Sequence, residues 1–286
     1  MQKIVTSRGE FSYRHYGNPS HPPLMLVHGW PQSNYCWREV VDQLGDFYVI
    51  TPDLRGLGDS ERTLELKAYT KDELGKDLFA VATGLGLNKF HLGGHDWGSA
   101  VVQEMALMHP ERITKLILIN MILITNFKGK KKAAKKLEEE MYRSSWYQFF
   151  QSIPHLAEEM IAGKEEVWIR FFNHGISRPI TEEAIMEYTR CYKIKNTITT
   201  AANLYRTIPD DRKRWKTYLG KKIQVPTHLI HGQLDPVVIK EFLFQAQSAF
   251  EKPVAITYLN GGHFICDEQP EEVGKIMAQF LKNKSL

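Results

Sequence analysis

The sequence predicts an α/β fold: a mostly parallel central sheet with helices on both faces and a helical cap inserted between two of its strands. Three observations carry this expectation. Short apolar runs alternate with segments of helical periodicity, the pattern of a parallel sheet covered on both sides. A strand, a sharp turn flanked by glycines and a helix follow one another over residues 89–108. From about Ile124 to Leu219 the apolar strand signature disappears.

Taken in order, Phe11 to Tyr16 alternates and reads as an early antiparallel strand. Leu24-Met25-Leu26-Val27 is an apolar run ending at His28-Gly29, as a buried parallel strand requires. Ser33 to Leu44 fits a short helix, Tyr48-Val49-Ile50 the next strand, and Pro52 to Ser60 a loop. Thr70 to Leu85 has helical periodicity, with Leu74, Leu78, Val81 and Leu85 on one side. Lys89 to Gly93 reads as a strand, Ser99 to Met108 as a helix, and Ile113 to Met121 as another buried strand. Residues 124–219 are rich in Lys, Glu, Tyr, Trp and Phe and read as mainly helical. This divides the chain into a core of residues 1–123 and 220–286 and a cap of residues 124–219. The alternation resumes with a strand at Pro226 to His231, a helix from Ile239 to Phe250, a strand from Val254 to Leu259 and a helix from Pro270 to Lys282.

A chain of 286 residues holds one α/β domain with a large insertion. A hydrophobic share of 43% beside 24% charged residues is that of an ordinary soluble globular protein. The formal charge of +4 is too small to argue for nucleic acid or a membrane as partner, and no apolar run approaches the length of a bilayer span. Lys128 to Lys136, running into Glu138-Glu139-Glu140, reads as a solvated helix face. The N-terminus has no apolar h-region, so no signal peptide is expected. Cys36, Cys191 and Cys266 are scattered and odd in number, which suggests neither a disulfide framework nor a metal site. A reduced, cytoplasmic setting is the simplest expectation, and a homo-oligomer is left open.

The chemistry starts at Gly94-His95-Asp96-Trp97-Gly98. Strand, Gly-flanked turn and helix are the context of the nucleophile elbow G-x-S-x-G, but the apex here is Asp96. A carboxylate is already ionised at neutral pH. It needs no base to strip its proton and attacks alkyl carbon well, which points to opening of strained rings or displacement of halide and away from ordinary ester cleavage. Two further residues complete the chain order nucleophile, acid, histidine. Asp235 follows the strand end in His231-Gly232-Gln233-Leu234-Asp235-Pro236, and His263 follows the last strand in Gly261-Gly262-His263-Phe264. All three would project from the carboxyl edge of the sheet, where ligands of open α/β sheets bind. His263 is expected to activate water, with Asp235 fixing its tautomer. Taken alone, Asp235 before Pro236 would also suit a turn. An oxyanion hole is expected from the backbone N–H groups of Trp97 and of Trp30 in His28-Gly29-Trp30-Pro31. His28 reads as a structural hydrogen-bonder, and Asp53 to Ser60 as loop scaffolding.

With these motifs in place the chain resembles the α/β-hydrolase fold family over essentially its whole length and, within that family, the epoxide hydrolases. The residues that carry the resemblance are His28-Gly29-Trp30-Pro31, His95-Asp96-Trp97-Gly98, the loop around Asp235, and Gly262-His263. Epoxide hydrolases carry two cap tyrosines that donate to the epoxide oxygen. Ser145-Trp146-Tyr147-Gln148-Phe149-Phe150-Gln151 is similar to the first motif and Asn203-Leu204-Tyr205-Arg206 to the second, which implies Tyr147 and Tyr205 as ring-opening acids. A phenol with a pKa of about 10 suits that task, because the alkoxide left by ring opening must be protonated. The resemblance implies a small apolar epoxide and water as the reacting partners, a vicinal diol as product, and no metal or organic cofactor.

Haloalkane dehalogenases share the Asp-Trp elbow. They commonly pair the Trp with an Asn or Glu after His-Gly or with a cap Trp; here Trp30 follows His28-Gly29, while Trp146 could substitute from the cap. Fluoroacetate dehalogenases are similar at Trp146, Tyr147 and Tyr205 but grip the substrate carboxylate with two arginines, at positions occupied here by Trp97 and Ala100. A haloalkane or haloacid dehalogenase is therefore the alternative, followed by a binding module that kept the fold and by a serine hydrolase using Ser99, which lies beyond the apex. Of the cap aromatics Trp146, Phe149, Phe150, Trp168, Phe171 and Phe172, fewer than half are expected to line the site.

Overall fold

The strands of the protein are β1 (Gln2–Thr6), β2 (Gly9–Tyr16), β3 (Pro23–Val27), β4 (Tyr48–Pro52), β5 (Phe90–His95), β6 (Ile113–Ile119), β7 (Thr227–Gly232) and β8 (Ala255–Leu259). They form one sheet in the order β1-β2-β4-β3-β5-β6-β7-β8. β1 and β2 are antiparallel to each other, β2 is antiparallel to β4, and every later pairing is parallel. This is a computed structural model; it describes residues 1–138 and 141–283, so Glu139 and Glu140 of the acidic run lie outside the described residues.

The central strands are continuous apolar runs because both of their faces are covered. Leu24 to Val27 and Leu116 to Ile119 are buried throughout. β5 shows how the cover is arranged. A Cβ on Gly94 would strike Gly98 of α2 (Trp97–Met108), and one on Gly93 would lie 3.8 Å from Met277 of α11 (Pro270–Lys282). Successive strand residues point to opposite faces, so α2 and α11 cover opposite sides of the sheet. α1 (Lys71–Gly84) packs beside α2 with Leu74, Leu78 and Val81 buried. α11 starts on Pro270, carries Glu271 and Glu272 in its first turn and Lys282 in its last, and buries Val273, Met277 and Leu281.

Between β6 and β7 the described residues form only helices: α3 (Phe127–Leu137), α4 (Met141–Ser152), α5 (Leu156–Ile161), α6 (Glu165–Phe172), α7 (Glu182–Tyr192), α8 (Thr197–Arg206) and α9 (Ile208–Lys216). α10 (Ile265–Glu268) is a single turn after β8.

One strand is added to the sequence expectations and two helices change. The chain begins with a strand, β1, that has no buried face to signal it; Val5 is 77% exposed. Ser33 to Leu44 is two 3-10 turns, Asn34–Trp37 and Val40–Gln43, instead of one helix. The helix expected from Ile239 to Phe250 is likewise absent, replaced by the short turns Lys240–Leu243 and Ala246–Ala249 with Gln245 between them at φ 51°. The reason is a distant competitor for its carbonyls. Asn126, which caps α3 by accepting from the Gly129 N–H at 3.1 Å, donates its amide to the carbonyls of Phe242 and Phe244. α3 packs so closely there that a Cβ on Gly129 would lie 2.0 Å from the Phe242 oxygen.

Another close approach lies under the elbow, where a Cβ on Gly98 would stand 2.2 Å from the Val27 carbonyl oxygen. Gly98→Ala is expected to cost ~2 kcal/mol or more in urea unfolding. At Gly45 nothing lies within 4 Å of an added Cβ, and Gly45→Ala is expected to change stability by less than ~0.5 kcal/mol.

Candidate active site

β5 ends at His95, α2 begins at Trp97, and Asp96 forms the turn between them at φ 50° and ψ −128°. A residue with a Cβ is strained there, by about 1–3 kcal/mol. The strain sits on Asp96 itself; the flanking glycines are required for close approach. The turn is held from both sides. The Asp96 N–H donates to the Ile119 carbonyl at 3.2 Å, and its own carbonyl accepts from the N–H groups of Ser99 and Ala100 at 2.8 and 3.3 Å. The buried Ser99 hydroxyl donates to the Gly94 carbonyl and accepts from the Ile119 N–H. It serves the backbone and does not face the turn apex.

The structure brings Asp96, Asp235 and His263 together. Asp96 Oδ1 accepts from the Trp30 N–H at 2.8 Å, and Oδ2 lies 3.3 Å from His263 Nε2. His263 Nδ1 lies 2.8 Å from Asp235 Oδ2, while Asp235 Oδ1 accepts from the N–H groups of Val237 and Val238 at 2.8 and 2.9 Å. Those two bonds are the ones a turn residue would make, so both readings of Asp235 describe the same side chain. Burial pushes the Asp96 pKa up, but His263, His95 and the Trp97 backbone N–H outweigh it, and the carboxyl ends below its ordinary value. For His263 burial works downward, yet Asp235 and Asp96 push the imidazole up to about 10. A carboxylate and an imidazolium therefore face each other at neutral pH.

The loop that carries His263 is clamped. Its carbonyl accepts from His95 Nε2 at 2.7 Å and from Asn120 Nδ2 at 2.8 Å. Asn120, at φ 43° after β6, also bonds the Gly262 carbonyl and the Gly232 N–H, so it joins the loops of Asp235 and His263. Glu268 Oε2 accepts from the N–H groups of Gly262, Ile176 and Ser177 and ties the same loop to the helical insert. His28 accepts from the Leu54 N–H and bonds the Gly29 carbonyl, and burial lowers its pKa to about 4, so it is a neutral scaffold residue. Asp53 holds the N–H groups of Asn34 and Asp59 in the loop beyond β4.

Tyr147 on α4 and Tyr205 on α8 meet above Asp96, ring centroids 5.7 Å apart and planes at 82°. Trp30 stacks on Tyr147 at 5.3 Å and 7°, and Trp97 meets Tyr205 edge-on at 5.5 Å. The Trp30–Pro31 peptide is cis, and the Trp30 indole N–H donates to Tyr192 at 3.0 Å. Burial first, and the charge of Asp96 after it, raise both phenol pKa values above the ordinary range; both remain neutral O–H donors. Two cavities converge on Asp96. One, of about 440 Å³, is walled by Trp30, Trp146, Tyr147, Phe171, Phe172 and Ile176, with His263 at its base. The other, of about 400 Å³, is lined by Trp97, Tyr147, Gln148, Tyr205, Phe127 and Trp215. Three of the six cap aromatics line the first cavity, half of them where fewer were expected. Among the described residues, Asp59, Glu187 and Cys191 form a grouping that could hold a metal, but Arg190 already bridges both carboxylates.

A family model described as the alpha/beta hydrolase fold matches residues 22–270. The chain belongs to the α/β-hydrolase fold family. Among its relatives in that family, a soluble epoxide hydrolase of Corynebacterium sp. (strain C12) is 29% identical, over 88% of this chain and 87% of the relative. Epoxide hydrolase 4 of Mus musculus is 28% identical, over 99% of this chain and 79% of the relative. The crystal structure of epoxide hydrolase VrEH1 from Vigna radiata superposes with a TM-score of 0.83 at 22% identity, over 98% of this chain and 97% of that one, and shares the fold. Among the described residues, no helix of this α/β hydrolase is long and apolar enough to cross a membrane.

Asn120, Glu268 and Tyr192 carry no motif and escape sequence reading; each acts through partners far along the chain. The imidazolium has a consequence for stability. A histidine raised to about 10 stabilises the fold fully below its unfolded value of about 6.5 and loses that contribution as pH rises through 10. Unfolding free energy is expected to decline between those limits. In Asp235→Asn the decline should shrink and the His263 titration, followed by NMR, should move down toward 6.5.

Proposed function

We propose that the protein is an epoxide hydrolase that opens small apolar epoxides to vicinal diols through an ester on Asp96. The observation that supports this most strongly is the pair of neutral phenols, Tyr147 and Tyr205, gathered beside an ionised carboxylate at the junction of two apolar cavities. The epoxide-hydrolase names of its relatives agree with the reading.

In the first step a carboxylate oxygen of Asp96 attacks an epoxide carbon and the C–O bond breaks. The oxygen takes a proton from one of the tyrosines, so no free alkoxide forms. Alkylation removes the Asp96 charge, one of the two that hold His263 protonated. The imidazolium then gives its proton to the tyrosinate, which restores the phenol and leaves His263 as a base. His263, oriented by Asp235, takes a proton from water as the water oxygen attacks the ester carbonyl. The N–H groups of Trp30 and Trp97 hold the oxyanion. Trp30 N–H already sits 2.8 Å from Asp96 Oδ1 before any charge develops. As the tetrahedral intermediate collapses, the ester C–O bond breaks, the leaving diol oxygen takes the proton held by His263, and the acid left on Asp96 returns its proton to the imidazole, restoring carboxylate and imidazolium. Residues 124–219 act as the cap that walls this site, over a core of residues 1–123 and 220–286.

Displacement of halide would need N–H donors instead of O–H donors. The Trp30 indole N–H is committed to Tyr192 at 3.0 Å.

Two measurements test the reading. His263→Gln, incubated with equimolar styrene oxide and phenethyl bromide, is expected to accumulate a peptide adduct on Asp96 that retains the epoxide oxygen. An adduct lacking it would replace this reading with a dehalogenase. Tyr205→Phe is expected to slow epoxide opening by ~10²-fold or more, the range of a lost general acid, with its thermal midpoint unchanged.

A further inference from the structure

Lys71 is a charge in a place that argues against one twice. It is the first residue of α1, where the helix macrodipole favours acids, and its side chain is completely buried. Its Nζ pairs with Asp211 Oδ2 at 2.7 Å, donates to Thr207 Oγ1 at 3.1 Å and donates to the Leu204 carbonyl. It also lies 4.2 Å from the centroid of the Trp97 ring. Asp211 Oδ1 accepts from the Lys71 N–H at 2.9 Å and so caps α1, a service the side chain of Thr70 does not perform.

A tie between core and insert does not by itself require this ion pair. Buried pairs are commonly matched or exceeded in stability by packed apolar residues of the same volume. What an aliphatic chain cannot supply is a donor aimed at a carbonyl. Leu204 is in the last turn of α8, where carbonyls lack donors from their own helix; its carbonyl takes the Lys71 ammonium beside the Thr207 hydroxyl, which donates at 3.3 Å. The next residue is Tyr205, whose ring rests edge-on against Trp97. One ammonium thus holds both the backbone that carries Tyr205 and the indole on which its ring leans.

We propose that Lys71 is a positioning residue that aims the Tyr205 hydroxyl at the reacting oxygen, by holding the Leu204 carbonyl and the Trp97 ring, with Asp211 as its counter-ion. The proposal rests on the reading of Tyr205 as a ring-opening acid. Lys71 touches no reacting atom and works through Tyr205.

The test uses the full chain. Lys71→Met/Asp211→Leu removes both charges together, so no buried ion is left alone. Formation of the Asp96 ester from styrene oxide in a single turnover is expected to fall ~10-fold or more, with ester hydrolysis within about threefold of wild type; in a Tyr205→Phe background the same pair of changes should cost less than ~3-fold, as for residues acting through one another. Equal losses in both backgrounds, or in both steps, would reduce Lys71 to a structural tie. Lys71→Arg keeps a cation against Asp211 while shifting its nitrogens, and is the second variant; ester formation at the wild-type rate would overturn the proposal. In protein labelled with [13Cζ]tyrosine, the Tyr205 resonance of the unliganded pair variant should move while that of Tyr147 stays. A stationary Tyr205 resonance overturns the positioning role whether or not epoxides are opened. Absence of any Asp96 ester from epoxides in wild type would instead refute the epoxide-hydrolase reading and leave the NMR result to decide the role of Lys71.

Discussion

The rest of the site depends on keeping one carboxylate ionised inside the protein. Asp96 is buried among aromatic rings, and burial favours its neutral form. His263 and the N–H groups at Trp30 and Trp97 reverse that preference. Each of these partners must be immobile for the reversal to hold. The close contacts under Gly98 fix the elbow, the absence of a Cβ at Gly29 admits the Asp96 side chain, and Asn120 and His95 fix the loop of His263. A Cβ on Gly29 would stand 2.4 Å from Asp96 Oδ1. The packing of the sheet edge and the electrostatics of the carboxylate are therefore one arrangement.

The two ionisable partners also have opposite environments, and this separates their roles. Asp235 is saturated by backbone N–H groups and by His263, and lies away from both cavities. Asp96 shares its oxygens between backbone N–H groups and the imidazole and opens onto both cavities. Of the two carboxylates, only Asp96 lines the cavities. The same division applies to the tyrosines: Tyr147 belongs to both cavities, Tyr205 to the second, and Tyr192 serves the Trp30 indole.

Much of this was legible in the sequence because strand ends can be read from apolar runs, and the three polar residues of the centre each follow one. Asp96, Asp235 and His263 meet for that reason. Tyr147 and Tyr205 could not be found that way; helical periodicity assigns aromatics to packing, and only the family resemblance singled them out. The failures share a cause. β1 has no buried face, and the turns after Ile239 answer to Asn126, more than a hundred residues earlier. Lys71 and Asp211 stand 140 residues apart and obey no local pattern. Local propensity loses wherever a carbonyl or a charge finds its partner across the fold.

The insert is fastened to the core at both of its ends. At one end Asn126 bolts α3 onto the carbonyls of Phe242 and Phe244, and at the other the ion pair of Lys71 and Asp211 rivets α9 onto α1. The aromatic walls that the insert gives to the two cavities thus hang between two bolts, one on each flank of the core.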